Sequence, residues 1–178
     1  MRLFIAIELP AEVKKLLTGL RTAIPGANWV PPEQLHLTLA FLGEVDEATC
    51  ALLAEKLAGI VAPGFTLQFS SSGCFPDRRR PRVIWAGLSP SPLLTGLAEL
   101  VGRAVRSCGI PQEERPFSPH ITLARIRQPA GREAGAFLEQ HRQLELPPVN
   151  VREFILFQSL LTREGAIHTP LGQFPLCG

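Results

Sequence analysis

Several absences narrow what this chain can be. It has no tyrosine, so no phenolic hydroxyl is available to any site it builds. Its four cysteines (Cys50, Cys74, Cys108, Cys177) are scattered, with no Cys-x-x-Cys pair and no histidine at zinc-finger spacing. That pattern fits reduced thiols rather than a disulfide framework or a structural zinc module. Long apolar runs are missing too. The opening stretch Leu3 to Leu9 is interrupted by Glu8 and stopped by Pro10, too short for a signal peptide or a membrane span. No low-complexity tract is present, and no large charge excess: 18 Lys and Arg against 16 Asp and Glu leave +2, too little for a non-specific polyanion binder. A cytoplasmic protein with no membrane association is expected.

What the chain does have, it says twice. HLTLA occupies His36 to Ala40 and HITLA occupies His120 to Ala124. Strict apolar/polar alternation marks a half-buried strand, and residues i and i+2 share a face. His36 and Thr38 therefore point one way and Leu37 and Leu39 the other; His120 and Thr122 stand likewise against Ile121 and Leu123. One such histidine is ordinary. From average residue usage, two His-x-Thr-Leu copies arise by accident in roughly one chain of this length in several thousand. The pair is a candidate site.

The rest of the chain repeats around it. Arg2 to Glu8 reads as a strand, followed by a helix from Pro10 whose apolar period (Val13, Leu16, Leu17, Leu20, Ile24) runs to Pro25-Gly26. Trp29 to Pro32 approaches the first His-x-Thr strand, and Asp46 caps a second helix. Phe65 to Phe69 is a strand. Ser70 to Arg82 reads as a loop, rich in serine, with Phe75 and the cluster Arg78, Arg79, Arg80 and Arg82. Another strand, Val83 to Leu88, precedes a helix opened by Ser91-Pro92, with Leu93, Leu97, Leu100, Val101, Ala104 and Val105 as its stripe. Arg115 to Pro119 leads into the second motif, Gly131 to Arg142 is a shorter helix, and a hairpin around Glu164-Gly165 closes the chain. The fold expected is α/β (α+β): one domain of 178 residues, two antiparallel-rich lobes related by a pseudo-twofold axis, helices outside and a central groove.

Two imidazoles facing each other across a groove supply a general base and a general acid near neutral pH. A hydroxyl beside each can donate to an anionic oxygen. That set suits cleavage of a phosphate ester, with Thr38, Thr122 and Arg125, which follows the second motif directly, on the phosphate. Arg78, Arg79 and Arg80, in the loop that also holds Phe75, are candidates for a flexible arm over a phosphate site because arginine suits phosphate. A zinc site is the rival reading of the same histidines. Catalytic zinc takes three protein ligands, and no third stands at convincing spacing: His141 falls on an ordinary helical pattern that looks exposed, and His168 lies in the closing hairpin. No metal and no cofactor is expected.

At these residues the chain resembles the two-histidine phosphoesterases, and within them the RNA 2′,3′-cyclic phosphodiesterases, also called 2′-5′ RNA ligases. The likeness runs from RLFIAIELP through PEQLHLTLAFLGEV and RPFSPHITLAR to LLTREGAIHTPLGQFPL. It implies metal-independent opening of a terminal 2′,3′-cyclic phosphate to a 2′-phosphomonoester, with His36 as proton donor and His120 as proton acceptor. RNA ends or nucleotide cyclic phosphates are the implied partners, for a protein expected to act as a monomer. The alternatives are 2′-5′ ligation, another nucleotide cyclic phosphate, or an RNA-binding module without chemistry. The family often has tyrosine where this chain has His168, which with Arg78, Arg79, Arg80 and Phe75 is a candidate for RNA contact.

Overall fold

The computed structural model describes residues 1–177. β1 (Arg2–Glu8) is buried on both faces, which is why its sequence is continuously apolar rather than alternating. It pairs antiparallel with β3 (His36–Glu44) on one side and β9 (Glu153–Thr162) on the other, and β10 (Gly165–Pro175) adds the outer strand. This first sheet has the order β10-β9-β1-β3. The second has the order β2-β7-β6-β5, from β2 (Ala27–Trp29), β5 (Phe69–Phe75), β6 (Val83–Leu88) and β7 (His120–Ile126). A small pair, β4 (Phe65–Leu67) with β8 (Val149–Val151), completes the strands. The two main sheets approach each other along β3 and β7.

Helices α1 (Ala11–Thr18), α2 (Glu47–Ala58), α3 (Pro92–Ser107) and α4 (Gly131–Gln140) bury their apolar stripes in one continuous core. Asp46 caps α2 by accepting from the Thr49 amide at 2.7 Å, and Ser91 caps α3 by accepting from Leu94 at 3.2 Å. Such caps are each worth about 1 kcal/mol. Gly109, at φ +76°, ends the α3 segment in the left-handed conformation that glycine adopts without strain. Leu37, Leu39, Ile121 and Leu123 all join this core, which leaves the His–Thr faces of both motif strands outside it.

The two lobes match beyond their motifs. In the β1–β3 pair the register slips between Ile5/Ala40 and Ala6/Thr38, so Leu39 has no partner. In the β6–β7 pair it slips between Ile84/Ala124 and Trp85/Thr122, leaving Leu123 without one. Each motif strand thus carries a β-bulge at the same step, three residues after its histidine. Alternation resumes one residue late beyond it.

Four expectations need correction. Ser70 to Phe75 is strand β5, not loop; only Pro76 to Arg82 lies outside a strand. Its serines and glycine have poor strand propensity, but small residues are what the neighbouring Trp85 needs: a Cβ at Gly73 would lie 2.2 Å from the indole. The first helix stops at Thr18, well short of Ile24, which is buried in the following coil instead. Leu16 and Leu93, assigned to buried stripes, are 41% and 48% exposed at stripe edges. His141 ends α4 half-buried, its ring 4.5 Å from that of Phe137, rather than exposed.

Candidate active site

On the first lobe, strand register sets the groove face. Phe4 pairs with Phe41, Ala6 with Thr38 and Glu8 with His36, and directly paired residues share a face. Ile155 and Phe157 of β9 continue that face, and with Phe4 and Ala6 they form a small apolar cluster separate from the main core. His36 lies on this floor. Its ring stacks on Phe4 at 4.8 Å and 23°, and meets His168 edge-on at 5.3 Å. His168 sits opposite Ser159 on β10 and touches Phe4 at 4.8 Å. The Gln34 side chain donates to the Ala166 carbonyl at 2.7 Å, tying this hairpin to the segment that leads into His36.

Burial pushes the His36 pKa down to about 4, and the positive charges of His168 and Lys14 push the same way; only a backbone hydrogen bond at Gln34 opposes them. The nearest carboxylate in register, Glu8, is engaged by the Lys14 ammonium. His36 is therefore neutral at pH 7.

The second lobe holds its histidine differently. His120 Nδ1 lies 2.8 Å from the Ser118 carbonyl. A carbonyl only accepts, so Nδ1 carries the hydrogen, and in the neutral ring the lone pair lies on Nε2. Phe75 meets the His120 ring edge-on at 5.0 Å and Trp85 lies 6.3 Å away. The β6–β7 register puts Gly87, Trp85 and Val83 opposite His120, Thr122 and Arg125. Beside His120, a hollow of about 480 Å³ opens between Trp85, Gly87, Pro119 and the first turn of α3. The indole Nε1 of Trp85 is buried without a hydrogen-bond partner among the described residues.

Of the residues singled out from sequence, His36 and Thr38 share one groove face, with His168 beside them. His120, Thr122, Arg125 and Phe75 share the other. Both threonines are half-buried. Arg125 reaches the groove face only because of the bulge at Leu123; strict alternation from His120 would send it into the core. Arg78, Arg79 and Arg80 are exposed in the turn that follows Phe75, and Arg78 is bonded to Glu139 at 3.0 Å.

One residue escaped sequence reading. Phe41, pseudo-mate of Arg125, is put on the groove face by the bulge at Leu39 and is 70% exposed, 6.4 Å from Phe4. The signal was present as the parallel pentad LTLAF and ITLAR. It is legible only once the bulge is known.

A model of the LigT like phosphoesterase family matches residues 7–85 and, a second time, residues 88–168, each match taking in one His-x-Thr motif. The chain belongs to that family. Among members of the LigT-like phosphoesterases, it is 40% identical to the RNA 2′,3′-cyclic phosphodiesterase of Thermus thermophilus, covering 100% of this chain and 91% of that protein. It is 33% identical to the RNA 2′,3′-cyclic phosphodiesterase of Archaeoglobus fulgidus, covering 98% and 99%. The crystal structure of Escherichia coli LigT complexed with 3′-AMP superposes with a TM-score of 0.81 at 33% identity, covering 99% of this chain and 98% of that one. The bilobal arrangement is thus that of a LigT-like phosphoesterase, and the double match accords with an internal duplication.

Proposed function

We propose that the chain hydrolyses the 2′,3′-cyclic phosphate at the end of an RNA to a 2′-phosphomonoester, by general acid–base chemistry between His36 and His120. The observation that carries this is the state of His120. Hydrogen bonding to Ser118 leaves Nε2 as a ready proton acceptor on a face shared with Thr122 and Arg125. His120 takes the proton of a water that attacks phosphorus. The P–O3′ bond breaks, and O3′ takes the proton of His36. Thr38 and Thr122 donate to the non-bridging oxygens, and Arg125 adds charge.

His36 is neutral at pH 7, so it must take up its proton as the substrate binds. A phosphodiester anion beside the imidazole supplies the counter-charge that the lobe lacks, and an adjacent negative charge favours the protonated form. In-line displacement puts the attacking water on the His120 side and the ribose on the His36 side. The base then lies against the first lobe, where Phe41 offers an exposed ring; stacking is worth about 1–3 kcal/mol per base. Arg78, Arg79 and Arg80 meet the upstream phosphates of a longer strand. The relatives' names, and the nucleoside monophosphate in the E. coli LigT complex, support this substrate class. The protein acts as a monomer in the cytoplasm.

A second reading has its own support. The hollow beside His120 lies on the nucleophile's side and far exceeds the space of one water. A nucleoside hydroxyl seated there in place of water would be joined to the 2′-phosphate, giving a 2′-5′ linkage.

The deciding experiment is incubation of an RNA ending in a 2′,3′-cyclic phosphate, with and without chelator. A 2′-phosphate formed equally in both is expected. A 3′-phosphate or an unchanged end overturns the hydrolytic reading, and chelator-sensitive turnover overturns the metal-free one.

A further inference from the structure

Four independent placements converge on His168. It lies on the groove face of β10, and its ring touches both His36 and the Phe4 ring on which His36 stacks. The Gln34–Ala166 hydrogen bond holds its strand against the approach to His36. Among the described residues, neither of its ring nitrogens makes a hydrogen bond within the protein, although the ring is only half-buried. An aromatic wall alone would be served by phenylalanine, as it is at Phe157, 6.3 Å away on the same floor.

The charged groups around it are few. Glu8 of β1 faces it and favours its protonated form, Lys14 of α1 is occupied by Glu8, and His36 of β3 competes for the same proton. Its partner across β9 is Ser159, which is neutral. The first lobe thus presents two imidazoles and no free cation to an arriving anion.

We propose that His168 is a third imidazole of the site, which takes up a proton as the phosphate anion arrives and holds an anionic oxygen on the His36 side. This rests on the groove being a phosphate site, as argued above, and adds to it a pH-dependent anchor on the leaving-group side. Burial sets the resting His168 pKa below its usual value, so the free protein is uncharged there at pH 7 and above. Each such proton taken up makes anion binding tighten as pH falls. Tyrosine at this position would offer a neutral donor, with no charge to gain.

The test is binding of sulfate, which does not titrate in the range used, followed by NMR or calorimetry on the intact protein from pH 5.5 to 8.5. Two variants are compared with wild type: His168→Phe, which keeps the wall, and His168→Gln, which keeps a donor without charge. His120 brings a pH dependence of its own in all three proteins, and His36, freed of a competitor for its proton, charges more readily in both variants, which works against the expected loss and so does not imitate it. Losing a charge-assisted hydrogen bond should weaken sulfate by about tenfold or more at pH 5.5 in both variants, and by less than about twofold at pH 8.5. Equal affinity to wild type at pH 5.5, equal loss at both pH values, or no sulfate binding by wild type overturns the proposal. Because binding is read directly, the outcome stands apart from whether a cyclic phosphate is turned over. Should His168→Phe fail to fold, His168→Gln alone decides.

Discussion

The two lobes present the same His–Thr pair on the same bulged strand, yet they house it in opposite ways. The first lobe lays His36 on a phenylalanine floor beside a second imidazole and leaves it without a free carboxylate. The second fixes His120 by one hydrogen bond to a backbone carbonyl, which decides its tautomer. One histidine is therefore held below its usual pKa by its surroundings, and the other is held in one orientation. An approximate symmetry of backbone carries an asymmetry of chemistry, and the difference lies in the neighbours rather than in the motif.

The sharpest way to break that comparison is to remove each imidazole in turn. His36→Ala and His120→Ala should each lose at least about 10²-fold in turnover on an RNA cyclic phosphate, the usual size of a general acid or base contribution. A substrate whose leaving oxygen is much more acidic needs no donated proton. It should restore His36→Ala and leave His120→Ala inactive in the same steady-state assay. Rescue of the opposite variant would exchange the two roles.

Next in size is the residue that directly follows each motif, where the lobes diverge outright. Phe41→Ala should cost about 5–100-fold in kcat/KM on a nucleoside 2′,3′-cyclic phosphate, the value of a base stack, while a cyclic phosphodiester with no base should be unaffected. Arg125→Ala should weaken both substrates alike, because its partner is the phosphate they share. Identical behaviour of the two variants on both substrates would mean that the lobes do not divide base from phosphate.

The smallest effect is on stability. The folded-state pKa of His36, about 4, lies below the unfolded value near 6.5. Unfolded chains therefore bind the extra proton first as pH falls, and stability is lost progressively from about pH 6.5 towards pH 4. His36→Phe should flatten that part of a denaturant-midpoint profile, and leave the profile above pH 7 parallel to wild type. An unchanged acid slope would show that the imidazole is not held neutral by its surroundings.

Much of this was legible in the amino-acid order because alternation reports a half-buried strand directly. The faces of His36, Thr38, His120 and Thr122, the caps at Asp46 and Ser91, and the halving of the chain all follow from local pattern. What was not legible depends on partners distant in sequence. Ser70 to Phe75 has the composition of a loop and is a strand only because Trp85 needs a flat bed of small residues across the ladder. Phe41 looks like a core residue until the bulge at Leu39 shifts its phase. The position of His168 beside His36 needs the register of three strand pairings at once.

That bulge also orders events in the history of the chain. It displaces a leucine at the same step in both halves, between the same His-x-Thr and the same following alanine. Two separate insertions at matching sites are a poorer account than one inherited by both copies. On a duplication, the kink would already stand in the half-length ancestor. Such an ancestor, pairing with a second copy of itself, would bring two identical motifs together with identical residues after each alanine. A single chain leaves those two places free to differ, and they hold a phenylalanine and an arginine.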